Sequence, residues 1–481
     1  MRYHIVGIAG AGMSAIAHIL LDQGHTVSGS DLQQNSLTDA LERRGAVIRR
    51  GHDPVFVGDA DRLVATSAVR DDHVEVVEAR QRGIPVLRRA DLWREWSRQR
   101  RVVAVAGAHG KTTTTALIAF ILTRAGVNPG FLIGGETPDL GANARWGDPT
   151  APLVIEADEY DQTFLALTPD VAVITNVEWE HVDIYPSPDA YEAAFRTFAG
   201  RVAHPQRLIV CGDDPGALQI ARHPDVQQYG IEEDVARNPA SCRLALMDWM
   251  ASNVRYDGAA THFDLWRYDR RTFGVRLEGG YTMQLAGEHN VRNALAAIAA
   301  TTTLGIDRAT IAAALASYRG VRRRFDIKGE VNGIIVIDDY AHHPTEVRAT
   351  LAAARVRFPD RRIVVYLQPH TFSRTYAMLD AWAHAFDAAD VVRIGDVYPA
   401  RETGDPQAAA QALVERIIHK DVQVAGNVAV ATATIAALLR PGDVLLTLGA
   451  GDGYRVGEMA LSTLGGTQQG RVSDPPCRER V

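Results

Sequence analysis

Cysteine is scarce in this sequence. The three present among 481 residues, Cys211, Cys242 and Cys477, are odd in number and far apart, so they build neither a disulfide framework nor a zinc site. Buried or incidental thiols in a reducing compartment are the expectation. No apolar run reaches about 18 residues, which excludes a membrane-spanning helix. The opening MRYHIVGIAGAGMSAIAHILL is apolar, but no cleavage site follows it, and its glycines read as strand, turn and helix rather than as a signal peptide. A cytoplasmic protein without membrane attachment is expected. Positive charge is not in excess either. With 51 Lys and Arg against 58 Asp and Glu, the net charge is −7, which argues against a nucleic-acid coat. An anionic ligand must therefore be held by local cationic clusters or helix N-termini. No short internal repeat is visible.

What is present is ordinary for a globular chain: 46% hydrophobic and 23% charged residues exclude disorder, collagen and a long coiled coil. At about 150 residues per domain the length suggests roughly three domains, each able to bury a core.

Short apolar runs alternate with helical patterns from residue 1 to about 97. Strands are expected over 3–8, 26–30, 62–66 and 84–86, and a helix over 13–23. Such alternation gives a parallel sheet covered by helices. The polar stretch 95–101 reads as a linker. A second unit, 98–322, opens with a strand over 102–106 and continues with strands over 152–157 and 170–175. Ser187 then caps a helix with Pro188 in its first turn; Tyr191, Ala194, Phe195 and Phe198 form its inward stripe, and Gly200 stops it. Residues 227–286 suggest antiparallel strands, and a helix follows over 288–304. In a third unit, 323–464, strands are expected over 334–337, 362–367, 391–394 and 444–448. The polar tail 465–481 reads as disordered. The fold class is α/β, three units in series.

The strongest motif is Gly107-Ala108-His109-Gly110-Lys111-Thr112-Thr113, between the strand over 102–106 and a helix over 113–124. Backbone N–H groups of such a turn point at a phosphate, the helix N-terminus adds positive potential, Lys111 neutralises the terminal phosphates and Thr112 can ligate Mg²⁺. Only two residues separate Gly107 from Gly110, where the usual phosphate loop has four. Near the start, Gly10-Ala11-Gly12-Met13-Ser14-Ala15 follows a strand and opens a helix, with Asp31 ending the next strand. That geometry holds a nucleotide diphosphate; a nicotinamide dinucleotide is one candidate among such ligands.

Glu156-Ala157-Asp158-Glu159-Tyr160-Asp161 ends one buried strand, and Asn176-Val177-Glu178-Trp179-Glu180-His181 follows the next. The carboxylates repel one another unless a cation or hydrogen bonds compensate. With the phosphate loop beside them they suit Mg²⁺ between phosphates; alone each reads as a solvated acidic loop. Asn290 and Asn293 share one helix face and either read a base edge or cap the helix. Arg322-Arg323-Arg324 is a solvated charge run or a phosphate clamp; its place at a domain junction favours a clamp for one arginine. Asp338-Asp339-Tyr340-Ala341-His342-His343-Pro344-Thr345 and Gln368-Pro369-His370-Thr371-Phe372-Ser373-Arg374-Thr375 close strands and open helices. Adjacent histidines lacking a helically spaced second ligand do not suit zinc, so nucleotide or substrate contacts are preferred there.

Taken in order, GIAGAGMSAIA with Ser30-Asp31, AGAHGKTTTT, EADEYD, TNVEWEHVDIY, GEHNVRNALAA, RRRFD, DDYAHHPTEV, QPHTFSRT and LGAGD resemble the Mur ligase family, over about residues 3–455. The short phosphate loop is that family's own form. The resemblance implies three domains: N-terminal Rossmann-like over 1–97, central ATPase-like over 98–322 and C-terminal Rossmann-like over 323–464. It implies ATP-dependent joining of an amine to a sugar-nucleotide carboxylate in peptidoglycan synthesis, with ATP and Mg²⁺. The alanine-adding branch is closest, its substrates UDP-N-acetylmuramate and L-alanine, its state monomer or homodimer. A branch that recycles a murein tripeptide onto the same sugar nucleotide is the alternative; a nicotinamide oxidoreductase or a non-catalytic ATP sensor would leave one of the two nucleotide motifs unexplained. Residue by residue, Gly10, Gly12, Met13, Ser14, Asp31, His52 and Ser67 would bind the UDP-sugar. Residues Gly107, Ala108, His109, Gly110, Lys111, Thr112 and Thr113 would bind ATP, with Asn290, Asn293, Arg324, Asp339 and His343. Thr112 and Glu159 would hold one Mg²⁺ and His181 a second; Lys111, Glu159, His181 and Arg324 would be catalytic, and His342, His343 and Arg374 would face the amino acid. Position 108 is Ala where many relatives have Thr, and 371 is Thr where some have Arg. The helix after TNVEWEH has no Lys from 192 to 198, unlike branches that carbamylate one there.

Overall fold

A computed structural model describes residues 1–182, 184–233, 247–258 and 260–465. The chain divides into two compact units, Met1–Arg322 and Arg323–Val481. The first carries two sheets, the second one, and all three are covered by helices: a three-domain α/β architecture with parallel sheets.

The first sheet has five parallel strands in the order Val47–Arg50, Thr26–Asp31, Arg2–Val6, Arg62–Ala65, Val86–Leu87. Its central strand buries four of five residues, so both of its faces are covered. Residues 8–10 make the turn into helix Ala11–Asp22, starting two residues earlier than the periodicity predicts because small residues carry no apolar signal.

The second sheet has ten strands. Its parallel centre runs Gln227–Ile231, Leu208–Cys211, Val171–Ile174, Val102–Ala106, Leu153–Glu156, Gly130–Leu132. The phosphate-loop strand Val102–Ala106, buried at every position, lies between Val171–Ile174 and Leu153–Glu156, both parallel to it. All three therefore end at one edge, where the loop and both acidic motifs emerge. Gln227–Ile231 pairs parallel with its neighbours, whereas Trp249–Asp257, Ala260–Asp269 and Gly274–Met283 form the antiparallel extension expected for this region. Ser187 caps helix Pro188–Ala199 through Ala190 N–H, and the four residues of the predicted stripe are the buried ones.

Residues 95–101 are not a linker. Helix Arg89–Gln99 runs through them with Trp96 buried, and strand Val102–Ala106 begins three residues later. Arg100 is buried as well: its guanidinium donates to the carbonyls of Trp146 (2.6 Å), Asp148 (2.7 Å) and Ala151 (2.6 Å). A polar stretch whose donors are satisfied by backbone carbonyls has a solvated composition and a buried structure.

In the second unit the order is Asp326–Val331, Ile334–Asp339, Val444–Leu448, Ile363–Leu367, Val391–Gly395, Val422–Gly426, parallel except for the first hairpin. Asp326–Val331 and Val422–Gly426 escape a sequence reading because edge strands are only half buried and carry few apolar residues. Gly465 closes the last helix, Tyr454–Gly465; the rest of the predicted tail lies outside the described residues, as do Cys242 and Cys477, while Cys211 is buried in the second sheet. No helix among the described residues is long and apolar enough to cross a membrane.

Candidate active site

Gly107 and Gly110 are both required by geometry. Gly107 has φ +137°, and a Cβ there would stand 2.0 Å from Thr175 Oγ1; Gly110 has φ +82°, and a Cβ there would stand 2.5 Å from Asn293 Oδ1. The loop is clamped from the neighbouring strand end. His109 N–H donates to Asn176 Oδ1 (2.8 Å), Asn176 Nδ2 and Thr175 Oγ1 donate to His109 O (3.0 and 2.6 Å), and Ala108 N–H donates to Asn176 O (3.3 Å). The N–H groups of Ala108 and His109, expected to face a phosphate, are thus engaged in holding the loop. Helix Lys111–Arg124 starts without a side-chain cap at Gly110 and has no acidic residue in its first turn, so its N-terminal potential remains for an anion.

Lys111 Nζ donates to Gly107 O (2.6 Å) and Ala108 O (3.1 Å) and lies 3.0 and 2.9 Å from the two carboxylate oxygens of Glu159. Glu159 is completely buried, and His181 Nε2 is 3.3 Å from its Oε1. Tyr191 O–H donates to the same oxygen (3.4 Å) and Tyr185 O–H to the Glu159 carbonyl (2.7 Å). Burial opposes the Glu159 charge, but Lys111 and the His181 hydrogen bond outweigh it, and the carboxyl is held below its ordinary range. For His181 burial opposes protonation, while the bond to Glu159 and the nearby Glu180 raise its affinity for a proton above the usual value. His181 has φ +56°, a conformation uncommon outside glycine and concentrated at functional sites.

Donor atoms of Asp158, Glu159 and His181 lie within 4.8 Å of one another. Two carboxylates and an imidazole are a donor set that a divalent cation takes, in competition with Lys111 Nζ for the Glu159 oxygens. Glu159 and His181, expected on separate metals, meet each other here. Thr112 does not join them: its Oγ1 donates to Glu156 Oε1 (2.8 Å), whose other oxygen accepts from Gly134 N–H (2.6 Å). Asn290 and Asn293 are buried at the start of helix Glu288–Thr303, and their amides are occupied internally. Asn293 Nδ2 donates to Asn290 Oδ1 (3.2 Å), Asn290 Nδ2 to Ala286 O (2.8 Å), and Thr114 Oγ1 to Asn293 Oδ1 (3.2 Å).

In the first sheet, residues 8–10 form the turn at the carboxyl edge, and Ala11 and Gly12 open the helix. Met13 and Ser14 are buried, Ser14 Oγ donating to Ala11 O (2.9 Å), so their side chains face inward. Asp31 Oδ2 accepts from Ala9 N–H (3.0 Å) and braces the turn. His52 is half-buried, its Nδ1 3.0 Å from Oε1 of the buried Glu75, which also accepts from Ser30 Oγ (2.8 Å). Ser67 is exposed beyond strand Arg62–Ala65.

The second unit gathers its own cluster at strand ends. Asp339 accepts N–H bonds from Phe325 (2.7 Å) and Ala341 (2.8 Å); burial pushes its carboxyl up to about 6 against the pull of Arg324 and those donors. His343 is buried and caps helix Pro344–Arg357, its Nδ1 accepting from Thr345 N–H (3.2 Å). His342 Nδ1 donates to Tyr340 O (2.9 Å), its ring is 6.0 Å from His370, and Arg374 Nη1 is 3.4 Å from His370 Nδ1. Within the arginine run, Arg323 is tied to Asp338 (3.1 Å) and Gly449 O (2.8 Å), and Arg324 lies over the Tyr340 ring, 3.7 Å from Glu346. Sequence reading left Glu156, Asp158, Asn176 and Tyr191 out of the site, although the first three stand inside its motifs.

A glycine turn with a helix-initial lysine, facing a buried carboxylate and a strained histidine at a sheet's carboxyl edge, is the geometry of a nucleotide-triphosphate enzyme. The comparisons with known proteins are more specific. Residues 2–101 match the family model "Mur ligase family, catalytic domain", 105–301 "Mur ligase middle domain" and 323–451 "Mur ligase, glutamate ligase domain". The chain is 83% identical over 465 residues to the UDP-N-acetylmuramate–L-alanine ligase of Roseiflexus castenholzii, covering 97% of this chain and 98% of that one. It is 57% identical to that of Chloroflexus aggregans, covering 96% and 98%. Among solved structures it is similar to the UDP-N-acetylmuramate–alanine ligase of Thermotoga maritima, with TM-score 0.78 at 28% identity over 96% of this chain and 99% of that one. The chain belongs to the Mur ligase family.

Proposed function

We propose that this chain joins L-alanine to the lactyl carboxylate of UDP-N-acetylmuramate at the expense of ATP, giving the L-alanyl product, ADP and phosphate in the cytoplasm. The Lys111–Glu159–His181 cluster at the phosphate-loop edge carries the reading, together with relatives of that name at up to 83% identity along nearly the whole chain.

A carboxylate is a poor electrophile. Transfer of the γ-phosphoryl group of ATP to one of its oxygens makes an acyl phosphate and releases ADP. Attack by the alanine amine then forms the amide bond and expels phosphate, with one amine proton passing to solvent. Phosphoryl transfer needs positioning and charge neutralisation rather than a covalent protein partner. Lys111, fixed over the loop by two carbonyls and Glu159, supplies positive charge beside the phosphates. The uncapped start of helix Lys111–Arg124 adds its own. Asp158, Glu159 and His181 would hold Mg²⁺, which when bound cancels charge between phosphate and carboxylate. Asn293 shapes the base of the loop by packing against Gly110, and Asn290 accepts from the Asn293 amide. At the first sheet the turn at residues 8–10 and the helix start that follows it receive the UDP moiety, with His52 contributing from the neighbouring strand end.

Phosphate release with ATP, UDP-N-acetylmuramate and a panel of L-Ala, L-Ser, Gly and the murein tripeptide tests this reading. Release that depends on L-Ala is expected; dependence on the tripeptide instead would assign the recycling reaction.

A further inference from the structure

Glu75, the second residue of helix Val74–Gln81, is a fully buried carboxylate that stands outside the chemistry proposed above. Its side-chain partners among the described residues are histidines and a serine, not a lysine or arginine. His4 Nε2 lies 2.7 Å from Oε2, which also accepts from Ser30 Oγ (2.8 Å). Those contacts leave Oε1 to His52, whose Nδ1 is 3.0 Å away. A third imidazole, His73, meets the His52 ring edge to face, with centroids 4.5 Å apart. Its Nδ1 accepts a long bond from Glu75 N–H (3.3 Å). Donor atoms of His52, His73 and Glu75 lie within 4.8 Å of one another, and both histidines are half-buried. The protonation states suit ligation. Burial opposes the Glu75 charge, but bonds from His4, Ser30 and His52 outweigh it, and the carboxyl is held below its ordinary range. Burial, and then the neighbouring His52, hold His73 below the usual histidine value, so at neutral pH it is an imidazole with a lone pair to give.

We propose that His52, His73 and Glu75 form a zinc-binding site, separate from the cluster at Glu159, with the fourth position of the metal left to water. A pair of imidazoles with one carboxylate is a set that zinc takes, whereas Mg²⁺ and Ca²⁺ prefer oxygen. With zinc bonds of about 2.0 Å, neighbouring donors of a tetrahedral site stand about 3.3 Å apart. His52 Nδ1 and Glu75 Oε1 are close to that spacing already. The metal takes the place of the proton between them, and the imidazole carries its proton on Nε2 instead. His73 swings inward and gives up its long cap bond. The groups that orient the carboxylate are in place: His4 and Ser30 hold its other oxygen, as residues behind a metal ligand do. His4 is anchored in turn, its Nδ1 lying 2.9 Å from Ser28 Oγ.

Titration of the full chain, free of any affinity tag, with Zn²⁺ against a chromophoric chelator tests it, with millimolar Mg²⁺ present throughout. One equivalent of the bound Zn²⁺ should weaken by roughly a hundredfold or more in His52→Asn and in His73→Asn, at or beyond what removal of an orienting residue costs. Ser30→Ala, which removes such a residue, should weaken it by roughly ten- to a hundredfold. Asparagine at position 73 still caps the helix, so that variant keeps the fold, and its circular-dichroism melting without zinc should match wild type. Two controls separate this equivalent from other sites. It should survive in His181→Asn, which disables the Glu159 cluster, and in the Cys242→Ser, Cys477→Ser double variant, which removes competing thiols. Equal Zn²⁺ binding by wild type and His73→Asn would overturn the proposal. So would loss of the equivalent in either control, or its displacement by Mg²⁺.

Discussion

At the scale of single residues, the site is an exercise in burying charge safely. Glu159 is wholly excluded from water, and Lys111 and His181 are what permit it to stay ionised. Removing one partner of such a pair strands the other, at a cost of roughly 3–5 kcal/mol. Lys111→Ala should therefore do two things. Phosphate release with ATP, UDP-N-acetylmuramate and L-alanine should fall to background while the sugar nucleotide still binds; turnover within about tenfold of wild type would remove Lys111 from its role. The same variant should unfold at lower denaturant, and adding Glu159→Gln should restore part of the loss, because the stranded charge is gone. If Glu159→Gln deepens the loss instead, the carboxylate is held mainly by His181 and Tyr191. The residue types of this cluster were legible in the motifs, but their mutual contacts were not. Spacing cannot tell that Thr112 turns to Glu156, or that Glu159 and His181, on different strand ends, meet at 3.3 Å.

At the scale of elements, the phosphate loop works because its backbone is fixed before any ligand arrives. Asn176 holds His109 from both sides, and Gly110 adopts a left-handed conformation against Asn293. Gly110→Ala should weaken ATP binding by an order of magnitude or more, through the ~1–2 kcal/mol cost of a left-handed non-glycine residue and the steric conflict with Asn293. Asn293→Ala on top of it relieves the conflict but not the backbone cost, so nucleotide titration should show partial recovery; full recovery would mean that the strain is unimportant. A simpler expectation holds at helix Pro188–Ala199, where Ser187→Ala should cost about 1 kcal/mol in denaturant unfolding by freeing the Ala190 N–H. Elements of this kind were readable in advance, since caps, stripes and strand–glycine–helix turns are local. The misreading at residues 95–101 was not avoidable locally, because the carbonyls that satisfy Arg100 lie some fifty residues away, at 146–152.

At the scale of the whole molecule, two buried titratable groups set opposite responses to acid. His18, in helix Ala11–Asp22, is held neutral at about 4 by burial and by Arg44, whose Nη1 donates to its Nδ1 (2.8 Å), with Asp22 opposing. The unfolded chain protonates this histidine near 6.5. Between those values the unfolded state binds a proton that the folded state declines, so its contribution to stability is lost as pH falls from about 6.5 toward 4. Asp339 behaves inversely. Its folded value of about 6 exceeds the roughly 3.9 of an unfolded aspartate, so the folded state takes up the proton first and stability is gained as pH falls across about 6 to 4. One group belongs to the compact unit ending at Arg322 and the other to the unit that starts at Arg323. Urea unfolding at pH 7 and pH 5 reads both. His18→Asn, whose Oδ1 can replace Nδ1 as acceptor for Arg44, should gain on wild type at pH 5 relative to pH 7; Asp339→Asn should lose ground over the same interval. The two groups share no partner, so the double variant should show the sum of the two differences. A wild-type minus variant gap that stays constant with pH would show that the group titrates alike in folded and unfolded chain, and a double variant far from the sum would show that the two units do not keep their electrostatics to themselves.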